Sequence, residues 1–150
     1  MKKLSFVLIL ALASLTIVLR LYRFTAPVGD WHSWRQSDTA AVARNFIKKG
    51  FDPLRPRYDD LSNIQSGKDN PEGYRMVEFP LYQTIGFWVW KILPQFSIEE
   101  ALRIVSIASS VVSVVTLFYI ASVISSPVVG FFSALTFAIL PYNVYFGRVI

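Results

Sequence analysis

Ile104-Val-Ser-Ile-Ala-Ser-Ser-Val-Val-Ser-Val-Val-Thr-Leu-Phe-Tyr-Ile-Ala-Ser-Val-Ile124 is the stretch that decides the fold. It holds no Asp, Glu, Lys or Arg, and the absence of charge continues through Gly147. At about 20 residues per crossing, Ile104 to Gly147 is long enough for two bilayer spans. The whole chain fits that reading. Of its 150 residues, 53% are hydrophobic and 15% aromatic, with mean hydropathy +0.44, too apolar for an ordinary soluble domain of this size. All the charges except Lys2, Lys3 and Arg148 lie between Arg20 and Arg103. The formal charge of +5 is interleaved with acids and next to apolar segments, so it reads as membrane-surface charge, and no nucleic-acid partner is expected. With no cysteine, disulfides, thiol chemistry and Cys-based metal sites are excluded.

Working outward, Leu4 to Leu19 is uncharged, follows Lys2 and Lys3, and precedes Arg20 and Arg23. This predicts a first span over 4–22 with a cytoplasmic N-terminus. A cleaved signal peptide is the rival, since Ala11-Leu12-Ala13 resembles a cleavage site, but the apolar run continues to Leu19. Either way the next segment, 23–97, is exported as an outer loop, and it is rich in Pro and Gly turn formers. Two helices are expected inside it. Over 38–49, Ser37 or Asp38 can cap the start, Val42/Phe46 and Ala43/Ile47 pair at i,i+4, and Gly50 closes the end. Its amphipathic pattern places it on the membrane surface. Over 80–93 the chain is apolar but too short to span, and Tyr82, Phe87, Trp88 and Trp90 mark the headgroup level, so a second surface helix is expected. Ser97 and Glu100 form a capping box that opens a span over 98–124. Ser125-Ser126-Pro127 breaks it, and a third span over 127–146 ends in interfacial Pro141, Tyr142 and Tyr145. The expected fold is an all-α integral membrane protein with three transmembrane and two membrane-surface helices. Counting crossings puts Arg103 and Arg148 outside, whereas the positive-inside tendency would prefer Lys91 and Arg103 in the cytoplasm.

Three motifs stand in order along the chain: Asp30-Trp-His-Ser-Trp-Arg-Gln-Ser-Asp38, Glu78-Phe-Pro-Leu-Tyr82 and Pro141-Tyr-Asn-Val-Tyr-Phe-Gly-Arg148. With the segments between them, they resemble the front of a glycosyltransferase of the GT-C fold, most closely family 39. That family includes protein O-mannosyltransferases and the enzymes that place aminoarabinose on lipid A. The resemblance covers nearly the whole chain. It implies a GT-C type fold in the plasma or inner membrane and a main loop outside. The implied activity is a hexosyl or pentosyl transfer from a polyprenyl-phosphate-linked sugar to an exported protein, lipid or glycan of the cell envelope. Members are longer, with more spans, so it also implies that these residues form the N-terminal part of a polytopic transferase domain and are inactive alone. Two departures stand out. Aligned on Ala43-Arg44, Arg35-Gln36 occupies the place of the family's adjacent acidic pair, and Phe79 follows Glu78 where the aminoarabinose transferases have lysine.

Moving a sugar from a lipid phosphate to a hydroxyl needs a carboxylate to take the hydroxyl proton and cations to stabilise the departing phosphate. Asp38 is the first candidate for that carboxylate, and it reads equally well as a helix N-cap. Asp30 is the reserve. Glu78 resembles the family's active-cavity acid, against the plainer reading of a solvated acid at a helix N-terminus. Arg103 resembles a lipid-phosphate ligand whose guanidinium makes two parallel bonds, and an i,i+4 pair with Glu99 is compatible with that role. Arg148 either binds phosphate or snorkels to the interface. His32 and Arg35, with Trp31 and Trp34, can bind a sugar phosphate or anchor the loop at the headgroups. A single His without Cys argues against zinc, and no redox cofactor is expected. A carboxylate-bound divalent cation stays open; Asp59-Asp60 reads as a metal pair or, more simply, as a turn and ion-pair element, and no metal ligand is assigned. A reading from another class is a non-catalytic polytopic membrane module, such as a transporter or flippase fragment or an assembly subunit. It accounts for the spans but not for the ordered motifs.

Overall fold

A computed structural model describes residues 2–29, 32–63 and 67–150, with residues 2–4 described by backbone alone. Six helices follow in order: α1 (Lys2–Arg20), α2 (Ser33–Lys49), α3 (Leu81–Ile92), α4 (Ile98–Ile124), α5 (Pro127–Ile139) and α6 (Pro141–Phe146). Among the described residues the sole β-pairing is one isolated antiparallel bridge. The chain divides into two compact units, one of Met1–Phe24 with Ser106–Val149 and the other of Thr25–Val105 with Ile150. The architecture is all-helical, as expected. By length and composition α4 can cross a membrane, and Ser5–Arg20 and Pro127–Ile139 are shorter apolar helices. Only 28% of the apolar window of α4 is buried. A core helix of a soluble protein would hide that surface, so the pattern is consistent with a helical membrane protein.

In the first unit, Leu12 of α1, Val114 and Phe118 of α4, and Ala134 and Ala138 of α5 form the core, with Ile9, Phe131, Leu135 and Phe137 packed around it. Small residues set the spacing. A methyl group at Gly130 would collide with the Ser122 hydroxyl and the Phe118 carbonyl, so only glycine lets α5 lie this close to α4. The Ser125-Ser126-Pro127 break is present: Ser126 caps α5 by accepting from the Val129 N–H at 3.3 Å, and Pro127 occupies the first turn. The region expected as one span over 127–146 is two helices. Leu140 leaves helical geometry (φ −59°, ψ 124°) and Pro141 starts α6. Proline has no N–H for the ladder and its ring crowds the preceding turn, so it opens a helix more readily than it continues one.

Arg20 ties this unit together. It is fully buried, yet its guanidinium donates to the carbonyls of Thr16 at 3.2 Å, Ala138 at 3.2 Å and Asn143 at 3.1 Å. Those carbonyls belong to the C-terminal parts of α1, α5 and α6, where helices carry partial negative charge, and that of Asn143 also accepts from the Gly147 N–H at 2.9 Å.

The second unit holds α2, α3 and the first turns of α4. α2 begins at Ser33, five residues before the expected start at 38. His32 is its N-cap in a left-handed conformation (φ 58°, ψ 36°), and the His32 carbonyl accepts from the N–H groups of Arg35 and Gln36. Histidine is among the residues that tolerate this region, so the chain can turn into the helix there without a side-chain cap. Asp38 therefore lies inside the helix and is not its cap. Gly50 ends α2 with φ 97°, as expected from its freedom at positive φ. Ala40 and Ala43 of α2 pack on Ile98, Ala101 and Leu102 of α4, while Val42 and Phe46 pack on Phe87 of α3. The apolar side of α2 is thus covered by protein. On α3, a methyl group at Gly86 would collide with the Leu102 side chain, and the Tyr82 hydroxyl donates to the Leu102 carbonyl at 2.7 Å. The capping box is formed in both directions: Ser97 N–H to Glu100 at 2.7 Å and Glu100 N–H to the Ser97 hydroxyl at 3.1 Å.

The long segment before α3 is closed by the Arg57–Tyr74 bridge. Tyr58 N–H donates to the Gly73 carbonyl at 2.8 Å, and the Asn70 side chain clamps both the N–H and the carbonyl of Tyr74 at 2.9 Å. Gly73 sits at φ 69° against the Tyr58 carbonyl, a position no side chain could share.

Replacing Arg20 by Gln should lower the stability of the reconstituted protein by about 3 kcal/mol, because hydrogen bonds from a charged group are lost in a buried place. Lys49→Gln, at an exposed site, should stay within about 0.5 kcal/mol of the parent. Thermal unfolding in lipid nanodiscs compares them; equal melting temperatures would remove the clamp role of Arg20.

Candidate functional site

The first and second motifs meet in the second unit. Arg35, in the first turn of α2, donates to the Glu78 carboxylate at 2.8 Å across 43 positions of sequence. Both side chains are about half exposed, 54% and 50%, so the pair sits at a solvent-facing edge and a ligand can reach it. α2 supplies Arg35 because the helix starts at His32. Glu78 stands in the extended approach to Pro80, which caps α3.

Tyr58 adds a group that motif reading missed. The Gly73 bond fixes its backbone, and its ring packs against the cluster of Val42, Phe46 and Phe87. Burial raises the pKa of its phenol above 10.0, and the Glu78 carboxylate raises it further. Asp38 adds to that effect, while Arg35 and Arg75 oppose it. Asp38, Glu78, Arg35 and Arg75 therefore all act on one phenol. Asp38 is partly buried on α2, and the Thr39 hydroxyl beside it donates back to the Arg35 carbonyl at 2.9 Å. No local signal marks Tyr58; the one available cue is the Asn70-to-Gly73 turn that returns the chain to it.

The other candidates have surroundings of their own. Asp30 and Trp31 lie outside the described residues. His32 contributes its backbone turn, and Trp34 is exposed. Arg103, at 6% exposure, is buried in the second unit. Glu99, read above as its i,i+4 partner, accepts from Arg44 at 2.9 Å, and the same guanidinium reaches Asp59 at 3.1 Å. Arg148 lies in the first unit, its guanidinium 5.6 Å from the Tyr22 ring and 5.0 Å from the Tyr145 ring, within cation–π range.

Asp59 and Asp60 go to cations and amides. Asp59 accepts from Arg44 and from Asn45 at 3.1 Å. Asp60 pairs with Arg75 and accepts from the Ser62 N–H at 2.9 Å. This is the turn and ion-pair reading of the two acids. Among the described residues no three His, Cys, Asp or Glu side chains are grouped to hold a metal ion. Beside Glu78 runs a groove of about 260 Å³, lined otherwise by apolar Pro53, Leu54, Pro56, Met76, Val77, Phe79 and Pro80.

Compared with family models, curated proteins and solved structures, the chain matches none. What the arrangement can do chemically is set by its groups: a guanidinium for an anion, a carboxylate bonded to it, a second carboxylate on α2, and a phenol within their electrostatic reach.

Two titrations test this geometry. The phenol of Tyr58, isolated as the difference in absorbance between the parent and Tyr58→Phe, should ionise above pH 10 and move down in Glu78→Gln, since a nearby negative charge is removed. An unmoved midpoint would separate Glu78 from Tyr58. Asp59 is the second. Burial alone would raise its pKa, but the hydrogen bonds from Arg44 and Asn45 outweigh it and hold the carboxyl below 3.8. A depressed folded value means that its stabilisation is present above the unfolded pKa and is lost as pH falls through the folded one. Asp59→Asn should therefore flatten the loss of melting temperature below about pH 4. A profile unchanged from the parent's would take Asp59 out of the network.

Proposed function

We propose that the chain carries part of the outer-face site of a GT-C type glycosyltransferase resembling family 39, which moves a sugar from a polyprenyl-phosphate donor to an exported acceptor. In this reading the N-terminus is cytoplasmic, α1, α4 and the α5–α6 segment cross or enter the bilayer, and the segment between α1 and α4 faces outward. The observation that supports it is the Arg35–Glu78 pair, which joins two of the three ordered motifs at one edge, with Asp38 and Tyr58 beside it. A helical membrane-type chain that gathers carboxylates and a guanidinium at one place has the groups this chemistry requires.

The acceptor hydroxyl oxygen forms a bond to the anomeric carbon as the bond from that carbon to the phosphate oxygen breaks. Asp38 takes the hydroxyl proton, with Asp30 the reserve. Glu78 orients the acceptor, and the electron pair leaves with the lipid phosphate, whose charge is met by guanidinium groups. Arg35 is the accessible one at the cluster; Arg103, Arg148 and His32 are the other candidates that the resemblance implies. A non-catalytic membrane module is favoured by one feature: Arg35 and Glu78 neutralise each other as a purely structural ion pair would.

Asp38→Asn decides between these. Because Asp38 is inside α2, where Asn and Asp have similar helix propensity, the change should leave folding nearly untouched. In the full-length protein, supplied with polyprenyl-phosphate sugars and an exported acceptor, transfer should fall by about 10²–10⁴-fold while donor binding is kept. Transfer at the parental rate in Asp38→Asn, Asp30→Asn and Glu78→Gln alike would return the segment to a binding role.

A further inference from the structure

The groove beside Glu78 has an apolar lip. Leu54, Met76, Val77, Phe79 and Leu81 all expose more than half of their surface, Val77 as much as 77%. Four of them line a single groove with Pro53, Pro56 and Pro80, and Leu81 continues it as the first residue of α3. In water such a contiguous apolar surface is costly, and a monomeric soluble protein seldom presents one. Polar residues flank it in sequence: Asp52 and Arg55 on either side of Pro53-Leu54, and Arg75 before Met76.

The depth of this lip can be read from α3. Tyr82, next to Leu81, donates its hydroxyl to the carbonyl of Leu102, and Gly86 lies against the Leu102 side chain. Leu102 immediately precedes Arg103, the last charged residue before the uncharged stretch Ile104–Gly147. The first turn of α3 is therefore level with the point at which α4 passes from charged to uncharged sequence. In a helix that crosses a bilayer, that point lies at the headgroup boundary. Arg55, exposed beside Leu54, adds a cation of the kind that anionic headgroups attract.

We propose that the lip formed by Leu54, Met76, Val77, Phe79 and Leu81 inserts into the acyl–headgroup boundary of the bilayer, so that the Arg35–Glu78 edge is held at the membrane surface. The occupant of the apolar surface is lipid. The inference rests on α4 spanning the membrane but not on any transferase activity. It also replaces α2 as the place where this segment meets lipid, since the apolar side of α2 is covered by α3 and α4.

The chain has no cysteine, so single labels can be placed without removing any. The environment-sensitive fluorophore NBD is attached to Val77→Cys, Met76→Cys, Lys68→Cys or Val112→Cys in the full chain, reconstituted into phosphatidylcholine and phosphatidylglycerol vesicles. The quenchers are lipids carrying a nitroxide near the carbonyl end or deep in the acyl chain, and iodide in the water. NBD at positions 76 and 77 should emit at shorter wavelength than at position 68 and lose intensity with the shallow nitroxide. Position 112, on an exposed face of α4, should be quenched most by the deep nitroxide. Quenching at 112 but not at 76 and 77 overturns the insertion of the lip and leaves the spanning helix intact. Positions 76 and 77 shielded from iodide but insensitive to both nitroxide lipids mean a protein covers the groove, which also overturns it. Failure at 112 as well removes the membrane placement on which the proposal stands.

Discussion

A buried guanidinium held by backbone carbonyls organises the first unit. Arg20 stabilises three carbonyls from the ends of α1, α5 and α6. The C-terminal end of a helix carries a partial negative charge, so three such ends together favour one fixed cation. The arrangement constrains everything near it. α5 must stop where Ala138 can offer its carbonyl, and α6 must start again so that Asn143 comes within reach. A side chain at Gly147 would collide with the Arg20 guanidinium and the Ser110 hydroxyl. The break at Pro141 is thus a requirement of the clamp as well as a consequence of proline chemistry.

The second unit solves the opposite problem, because its residues are polar and its helices short. It uses small side chains to bring helices together and arginines to tie the loops down. Ala40, Ala43, Gly86 and Ala101 let α2, α3 and the start of α4 approach closely. Arg44 then bridges Glu99 at the head of α4 to Asp59 in the preceding segment. Being partly buried, this bridge is less screened than a fully exposed pair, so burial does not prevent the arginine pKa from being raised. Arg75 and Arg57 repeat the device on Asp60 and Glu72. Arg44, Arg57 and Arg75 are therefore engaged in holding the loops, and they need not be assigned to a ligand.

Features that depend on neighbours in sequence were legible. The Ser97–Glu100 box, the Ser126–Pro127 start and the Gly50 stop each rest on a contact within one helical turn, and each is present. Features that depend on distant chain were not. The start of α2 was placed at Asp38 because a capping side chain is the usual signal, whereas the helix begins from a left-handed His32 that offers none. The pattern of Val42, Ala43, Phe46 and Ile47 correctly marked an amphipathic helix, but periodicity does not say what covers the apolar side. The segment over 127–146 looked continuous because it carries no charge and is predominantly apolar, and the cue that divides it, Pro141, was read as an interfacial signal. Arg35 and Glu78 were each singled out from their motifs, but their pairing and the place of Tyr58 arise from a hairpin closed at Gly73, which no local pattern encodes.

The pairing bears on how such an edge could be used. The Glu78 carboxylate keeps one oxygen on the Arg35 guanidinium and has lone pairs left for a second donor, so it can position a partner hydroxyl while itself held in place. Asp38 acts on the same phenol from the α2 side. The two acids are thus chemically distinct although both are carboxylates. Arg35 is the group they would share with an incoming anion. A phosphate with two oxygens can match the planar fork of a guanidinium as well as Glu78 does, and at a half-exposed site the exchange requires little desolvation. An anion arriving at Arg35 would therefore release Glu78 at the moment an acceptor has to be oriented. An ion pair that looks merely structural in the unliganded chain is compatible with that use, because the same geometry that neutralises Glu78 keeps Arg35 positioned for the anion.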